Sequence, residues 1–263
     1  MTNEAVTEAA PSRRSDLASR TVAGLAMIVV AVACLWAGGV AFWALTALAA
    51  ALMLWEWAGL MRVGRAFLAL AIFAIPLVYA FPLLGGVGRT TVALLVSGAM
   101  LVALSGSGRM GFGLLYAGLP ALALLFLRDQ PLGIGLTLWT LALVWATDIG
   151  AYFAGRAIGG PKLAPAISPN KTWAGLGGGI LAAAIIGALL TIAFGLPVKL
   201  AYLGGLMAIL AQIGDLYESW LKRRAGVKDS GHLLPGHGGV LDRLDGLVPV
   251  AAVVAVLVAA GWL

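Results

Sequence analysis

Long apolar runs, interrupted by glycine, proline or charge, make up most of the chain. A helix needs about 20 residues to cross ~30 Å of hydrocarbon. Cutting the runs on that rule predicts nine spans, at roughly 21–37, 40–60, 66–84, 90–106, 111–127, 131–153, 174–196, 199–218 and 246–263. Gly38 and Gly39 separate the first two as a hairpin, because one helix over both would be far too long for a single crossing. Residues 1–20 are polar, with Arg13, Arg14 and Arg20 against Glu4, Glu8 and Asp16, and read as a disordered cytoplasmic tail. A second apolar run directly follows the first, which argues against a cleaved signal peptide. No internal repeat of the kind that builds many transporters is found.

Composition identifies the solvent. Of 263 residues, 62% are hydrophobic and 11% charged, whereas a soluble surface takes roughly 25% charged residues. Mean hydropathy is +1.01. The predicted class is therefore all-α, a polytopic integral membrane protein. The single cysteine, Cys34, lies inside an apolar run and reads as a buried small hydrophobe. With His232 and His237 the only histidines, a closed zinc site is not expected.

Basic residues give the orientation, because Lys and Arg accumulate on the cytoplasmic side. With nine spans and a cytoplasmic N-terminus, fourteen of the 17 fall on one side, and only Arg89, Arg128 and Lys199 on the other. The C-terminus then lies outside, and the polar loops 154–173 and 219–245 face the cytoplasm. The net charge of +6 is a topological signal rather than a sign of nucleic-acid binding.

Candidate chemistry is concentrated late in the chain. Seven of the eleven acidic residues lie from Asp129 onward. Charges in the region 21–130 are expected singly at span ends, so that region reads as scaffold and 131–263 as the catalytic part. From Gln212 to Asp245, acid and base alternate. Asp215, Glu218 or Ser219, and Lys222 recur at helical spacing and share a face at the end of the eighth span. Lys228, Asp229 and His237 follow, with a turn whose Gly238 and Gly239 permit positive φ and close backbone approach. Asp242 and Asp245, three apart, share a face where the ninth span begins. Oxygen ligands without His/Cys sets select a hard cation, Mg²⁺ or Mn²⁺, usually shared with substrate phosphates.

A second cluster begins at Thr147. Asp148, Tyr152 and Arg156 lie four apart on one face near the inner end of the sixth span, with a structural Asp148–Arg156 ion pair as the alternative reading. Ser168, Asn170, Lys171 and Thr172, around Pro169, offer hydroxyls, a cation and a turn just before the seventh span, where helix N-terminal amides favour an anion. Asn170 stands where a Walker loop needs glycine, so this is not a P-loop.

These residues carry a specific resemblance. Ser219-x-x-Lys222-Arg223, Lys228-Asp229-Ser230-Gly231, Leu234-Pro235-Gly236-His237-Gly238-Gly239 and Asp242-Arg243-x-Asp245 closely resemble the signature of the phosphatidate cytidylyltransferases, or CDP-diacylglycerol synthases. Ser168 to Trp173 and Asp148 to Arg156 also resemble that family. The resemblance implies a bacterial inner-membrane enzyme, a homodimer, that makes CDP-diacylglycerol and pyrophosphate from CTP and phosphatidate with magnesium, a second cation being open. It implies that Asp215 and Asp242 hold the metal and that Asp245 supports them. Lys222, Arg223 and Arg243 would sit among the phosphates, with Lys228, Asp229 and His237 in the same pocket. Asp148, Arg156, Ser168, Asn170, Lys171, Thr172, Ser219, Gly238 and Gly239 complete the expected substrate contacts. Ala174 stands where the family pattern has Glu, and Gly246 where it has Ser.

Two other classes compete. An ion-coupled transporter would carry charges near the middle of several spans, whereas these gather at one face. A CDP-alcohol phosphotransferase would continue its acidic motif along one helix after Asp245, where this chain is wholly apolar.

Overall fold

In the computed structural model, which describes residues 13–64, 66–233 and 238–263, the apolar runs fold as helices. They are α1 (Arg13–Ala37), α2 (Gly39–Leu60), α3 (Ala66–Tyr79), α4 (Arg89–Leu104), α5 (Gly108–Arg128), α6 (Gly133–Ile158), α7 (Trp173–Ala193), α8 (Lys199–Ala225) and α10 (Leu247–Ala259), with a one-turn α9 (Leu241–Leu244) before the last. Five of them, α2, α5, α6, α7 and α8, are long and apolar enough to cross a membrane, and the apolar stretches of α1, α3, α4 and α10 are shorter. The chain is a helical, multi-pass membrane protein.

Helix ends depart from the sequence reading in three places. Residues 13–20, expected in the tail, are helical, while residues 1–12 lie outside the described residues. α6 and α8 run past their expected limits of 153 and 218, to Ile158 and Ala225. Lys222, Arg223 and Arg224 in the last turn of α8 complement the negative end of the helix dipole. Gly226, at φ 76°, then ends it in the left-handed region that glycine adopts without strain. The third departure follows α6, where β1 (Lys162–Ala164) pairs antiparallel with β2 (Ser168–Thr172). The stretch expected as a turn is thus an extended strand, and it ends by capping α7: Thr172 Oγ1 accepts a hydrogen bond from the Gly175 amide at 3.0 Å.

Since lipid tails are as apolar as leucine, close packing rather than the hydrophobic effect must hold such helices together. On α7 the buried positions are Gly175, Gly179, Ala183, Gly187 and Thr191, a small residue every four, so α6 and α8 approach backbone to backbone. A methyl group on Gly178 would stand 2.2 Å from the Ala154 Cβ. α5 joins the two cores: Leu122 and Leu125 belong to one built on α1–α5, and Ala123 and Leu127 to one built on α6, α7, α8 and α10.

Contacts at the two ends of the bundle sort the basic residues. Arg62 after α2 reaches the Ala225 carbonyl at the end of α8, and Trp57 donates to the Arg109 carbonyl at the start of α5. At the other end Arg128 Nε binds the Leu35 carbonyl at 2.7 Å, and Lys199 Nζ binds the Trp262 carbonyl at 2.5 Å. Arg128 and Lys199, two of the three basic residues expected to face outside, thus cap helix C-termini far from the remaining cationic cluster.

Candidate active site

The last turns of α8 carry the acid–base alternation onto one face. Lys171, at the end of β2, donates to Asp215 and to Gln212 Oε1 at 2.8 Å. One turn on, Ser219 Oγ donates to Asp215 Oδ1 at 3.3 Å. Lys222 Nζ donates to Asp242 Oδ1 at 2.6 Å and to Glu218 Oε2 at 3.0 Å. Glu218 and Ser219, alternatives in the sequence, therefore both take part. Glu218 is fully buried, and its carboxyl lies against that of Asp245.

Asp242 is gripped from three directions. Besides Lys222 it accepts from the Ser230 amide, at 2.9 Å to Oδ2, and from the Gly239 amide at 2.8 Å. Burial alone would raise this carboxyl, but the Lys222 hydrogen bond and the two amides outweigh burial and hold it below the usual carboxylate range. Gly238 has the expected positive φ, 81°, and a Cβ there would stand 2.8 Å from Asp242 Oδ2. Asp245 begins the approach to α10, its carbonyl pressed against Gly214 of α8. Burial, with the Asp215 charge nearby, pushes its carboxyl up to about 7.

The sequence reading missed Glu56 of α2. Its carboxylate accepts from the Val240 amide at 3.0 Å and the Leu241 amide at 2.8 Å, and Ser230 Oγ lies at 3.4 Å. It is buried, 4% exposed, and fixes the segment that presents Asp242. Gly231 and Gly239 pack so closely on it that a Cβ at either would come within 2.6 Å of a Glu56 oxygen. The expectation that charges before position 130 serve only at span ends fails here. One signal was available: Glu56 is the only acidic residue between positions 17 and 128, and an acid in an apolar helix needs a partner.

The two sequence clusters meet in a cavity of about 590 Å³, lined among others by Asp148, Arg156, Asn170, Lys171, Thr172 and Asp215. Asp148 and Arg156 form no ion pair among the described residues, and Arg156 Nη1 donates instead to the Tyr152 hydroxyl at 3.2 Å. Thr172 is engaged as the α7 cap, and Ser168 lies in β2 opposite Ala164. Arg223 turns to the Ile167 carbonyl at 3.3 Å. Lys228, Asp229 and Arg243 are exposed and line no part of this cavity. His237 lies outside the described residues. Among the described residues, no three His, Cys, Asp or Glu side chains are arranged to hold a metal ion. Asp215 and Asp242, the metal ligands expected from the sequence, each hold a lysine ammonium instead.

Paired carboxylates and lysines at the ends of long apolar helices are groups suited to handling phosphates. The chain belongs to the cytidylyltransferase family, whose profile matches residues 18–260, and it is a nucleotidyltransferase. It is 44% identical over 252 residues to the phosphatidate cytidylyltransferase of Brucella suis biovar 1 (strain 1330), covering 90% of this chain and 92% of that one. The phosphatidate cytidylyltransferase of Pseudomonas aeruginosa is 46% identical over 160 residues, 59% of each chain. That of Bacillus subtilis (strain 168) is 45% identical over 116 residues, 43% of each.

Proposed function

We propose that this chain transfers the cytidylyl group of CTP to phosphatidate, forming CDP-diacylglycerol and pyrophosphate, at the cytoplasmic face of a bacterial inner membrane. The observation that carries the reading is the convergence of Lys171 from the hairpin and Asp215 from α8 in one cavity at the end of candidate membrane spans. A phosphate monoester is already an anion at pH 7, so it needs no general base, only cations that let two anions approach in line. A phosphatidate oxygen attacks the α-phosphorus of CTP. The new P–O bond forms as the bond to the β-phosphate bridging oxygen breaks, and pyrophosphate leaves with that electron pair. Lys171 and Lys222 meet the triphosphate, and Arg223 draws in the lipid phosphate.

The donor set suits Mg²⁺, with Mn²⁺ as the alternative. It offers hard carboxylate oxygens beside lysines that a polyphosphate could engage. Such an ion needs only one or two carboxylates when phosphates and water complete its shell. Asp215 and Asp242 are the residues that would hold it, with Asp245 in support, and when bound it would neutralise charge on the phosphate oxygens. Nine crossings with the C-terminus outside, and a homodimer, complete the reading. Purified protein, CTP, phosphatidate and Mg²⁺ test it, with the lipid product identified by mass. CDP-diacylglycerol is expected, and consumption of CTP without a cytidylyl lipid would contradict it.

A further inference from the structure

On another side of α8 lies a second cavity, about 660 Å³, that shares no lining residue with the first. The end of α2 supplies Trp57 and Arg62, the start of α5 supplies Arg109 and Phe112, and the last turns of α8 supply Trp220 and Arg224. No acidic residue lines it. None of these arginines is paired with a carboxylate among the described residues. Arg62 Nη2 reaches only the Ala225 carbonyl, at 3.4 Å, and Arg224 lies over the Trp220 ring, 5.4 Å from its centroid.

Arg62 is also the only non-glycine residue among those described with positive φ, 53°. It stands just past α2, where glycine is the ordinary choice because an L side chain is strained there. The N-terminal end of α5, a 21-residue helix, adds its positive dipole end at Gly108 and Arg109. Uncompensated cations in a concave site call for an anion.

The other wall says which kind. α2, α5 and α8 are all candidate membrane spans, so the cavity lies at their ends, at headgroup depth. Phe112 and Trp220 stay 48% and 39% exposed there, as aromatic side chains do at a membrane interface. A free phosphate would meet the arginines and leave the rings bare. A lipid phosphate would fill both walls. We propose that this cavity binds the phosphate-bearing headgroup of an anionic lipid at a site separate from the carboxylate cavity. The proposal rests on Arg62, Arg109 and Arg224, none of them assigned to the reaction; Arg223, assigned above to the substrate's lipid phosphate, also borders this wall and is left untouched in the test.

Native mass spectrometry of the full chain released from neutral detergent reads it. Micelles are doped with phosphatidylglycerol or with phosphatidylcholine, and inorganic phosphate is added alone in a third arm. The expected result is one retained phosphatidylglycerol, favoured over phosphatidylcholine by about tenfold, with the preference falling below about twofold in R109Q/R224Q. Arg62→Gln should lower it in part, and Arg89→Gln, at the start of α4, should leave it intact. Circular dichroism checks that each variant is folded. No lipid preference in the wild-type chain, an unchanged preference in folded R109Q/R224Q, or full displacement of the lipid by millimolar inorganic phosphate would each overturn the proposal. Loss of CDP-diacylglycerol synthesis alone would not bear on it.

Discussion

The two cavities beside α8 differ in how their cations are balanced. On the Asp215 side, Lys171 and Lys222 each lie against a carboxylate. On the Trp220 side, Arg62, Arg109 and Arg224 have no carboxylate among the described residues. On the proposed function, each lysine would move from carboxylate to phosphate when a polyphosphate arrives, leaving Asp215 and Asp242 as the residues that would hold a cation. Unpaired arginines can only hold an anion. One helix thus presents a proposed reacting face and a proposed binding face, set apart by the presence or absence of acid.

The comparison breaks most sharply at the carboxylates. Asp215→Asn and Asp242→Asn should each lower kcat by about two orders of magnitude or more, because electrostatic clamping of transferring phosphates supplies several kcal/mol. Both should keep the lipid preference of the second cavity. Near-normal turnover at saturating Mg²⁺ would remove that residue from the metal site.

Glu56 tests whether the reacting face is held from outside its own helices. Glu56→Ala leaves the buried Val240 and Leu241 amides without an acceptor, a cost of about 1–3 kcal/mol each. We expect a marked fall in thermal stability and about a tenfold loss of kcat. Glu56→Gln, which keeps one acceptor oxygen, should recover part of both. Equal behaviour of the two variants would mean that the carboxylate only fills space.

Smaller effects sharpen the picture. Ala174→Glu, which restores the acid of the family pattern beside Trp173, should change turnover by less than about tenfold, measured as initial rate. For Asp242 the sign of a pH effect follows from its lowered pKa. Its contribution to stability is fully present above the unfolded carboxylate value of about 3.9 and is lost as pH falls through the folded one. In metal-free detergent, the stability gap between wild type and Asp242→Asn should therefore shrink from pH 6 toward pH 3 in thermal or chemical unfolding.

How much of this was legible depended on the range of each interaction. Lipid-facing helices are apolar all round, so α2, α5 and α7 stand out in the sequence, and the helical spacing of four and then three residues put Asp215, Ser219 and Lys222 on one face. The ends of α6 and α8 were misplaced because polar residues continue a helix beyond the apolar run. The hairpin was missed because β1 and β2 have only three and five residues, with Pro169 among them. Glu56 stood out as a lone acid in an apolar helix, but its role did not: its partner Val240 lies 184 residues away, and no local pattern encodes such a contact. Asp242 and Asp245 were expected on the helix of the last span. A one-turn α9 carries the first, and Asp245 and Gly246 lead from it to α10 in right-handed helical backbone.

The central claim is that the reacting face transfers the cytidylyl group directly to the lipid, with no residue of the chain as nucleophile. Lys228, whose amine could in principle serve as a nucleophile, is exposed and lies outside the carboxylate cavity. The most direct measurement incubates the enzyme with CTP, Mg²⁺ and labelled pyrophosphate, with and without the lipid substrates. The account predicts label in CTP only when phosphatidate or CDP-diacylglycerol is present. Label entering CTP at a rate near turnover in their absence would mean that a cytidylyl-enzyme forms, contradicting direct displacement.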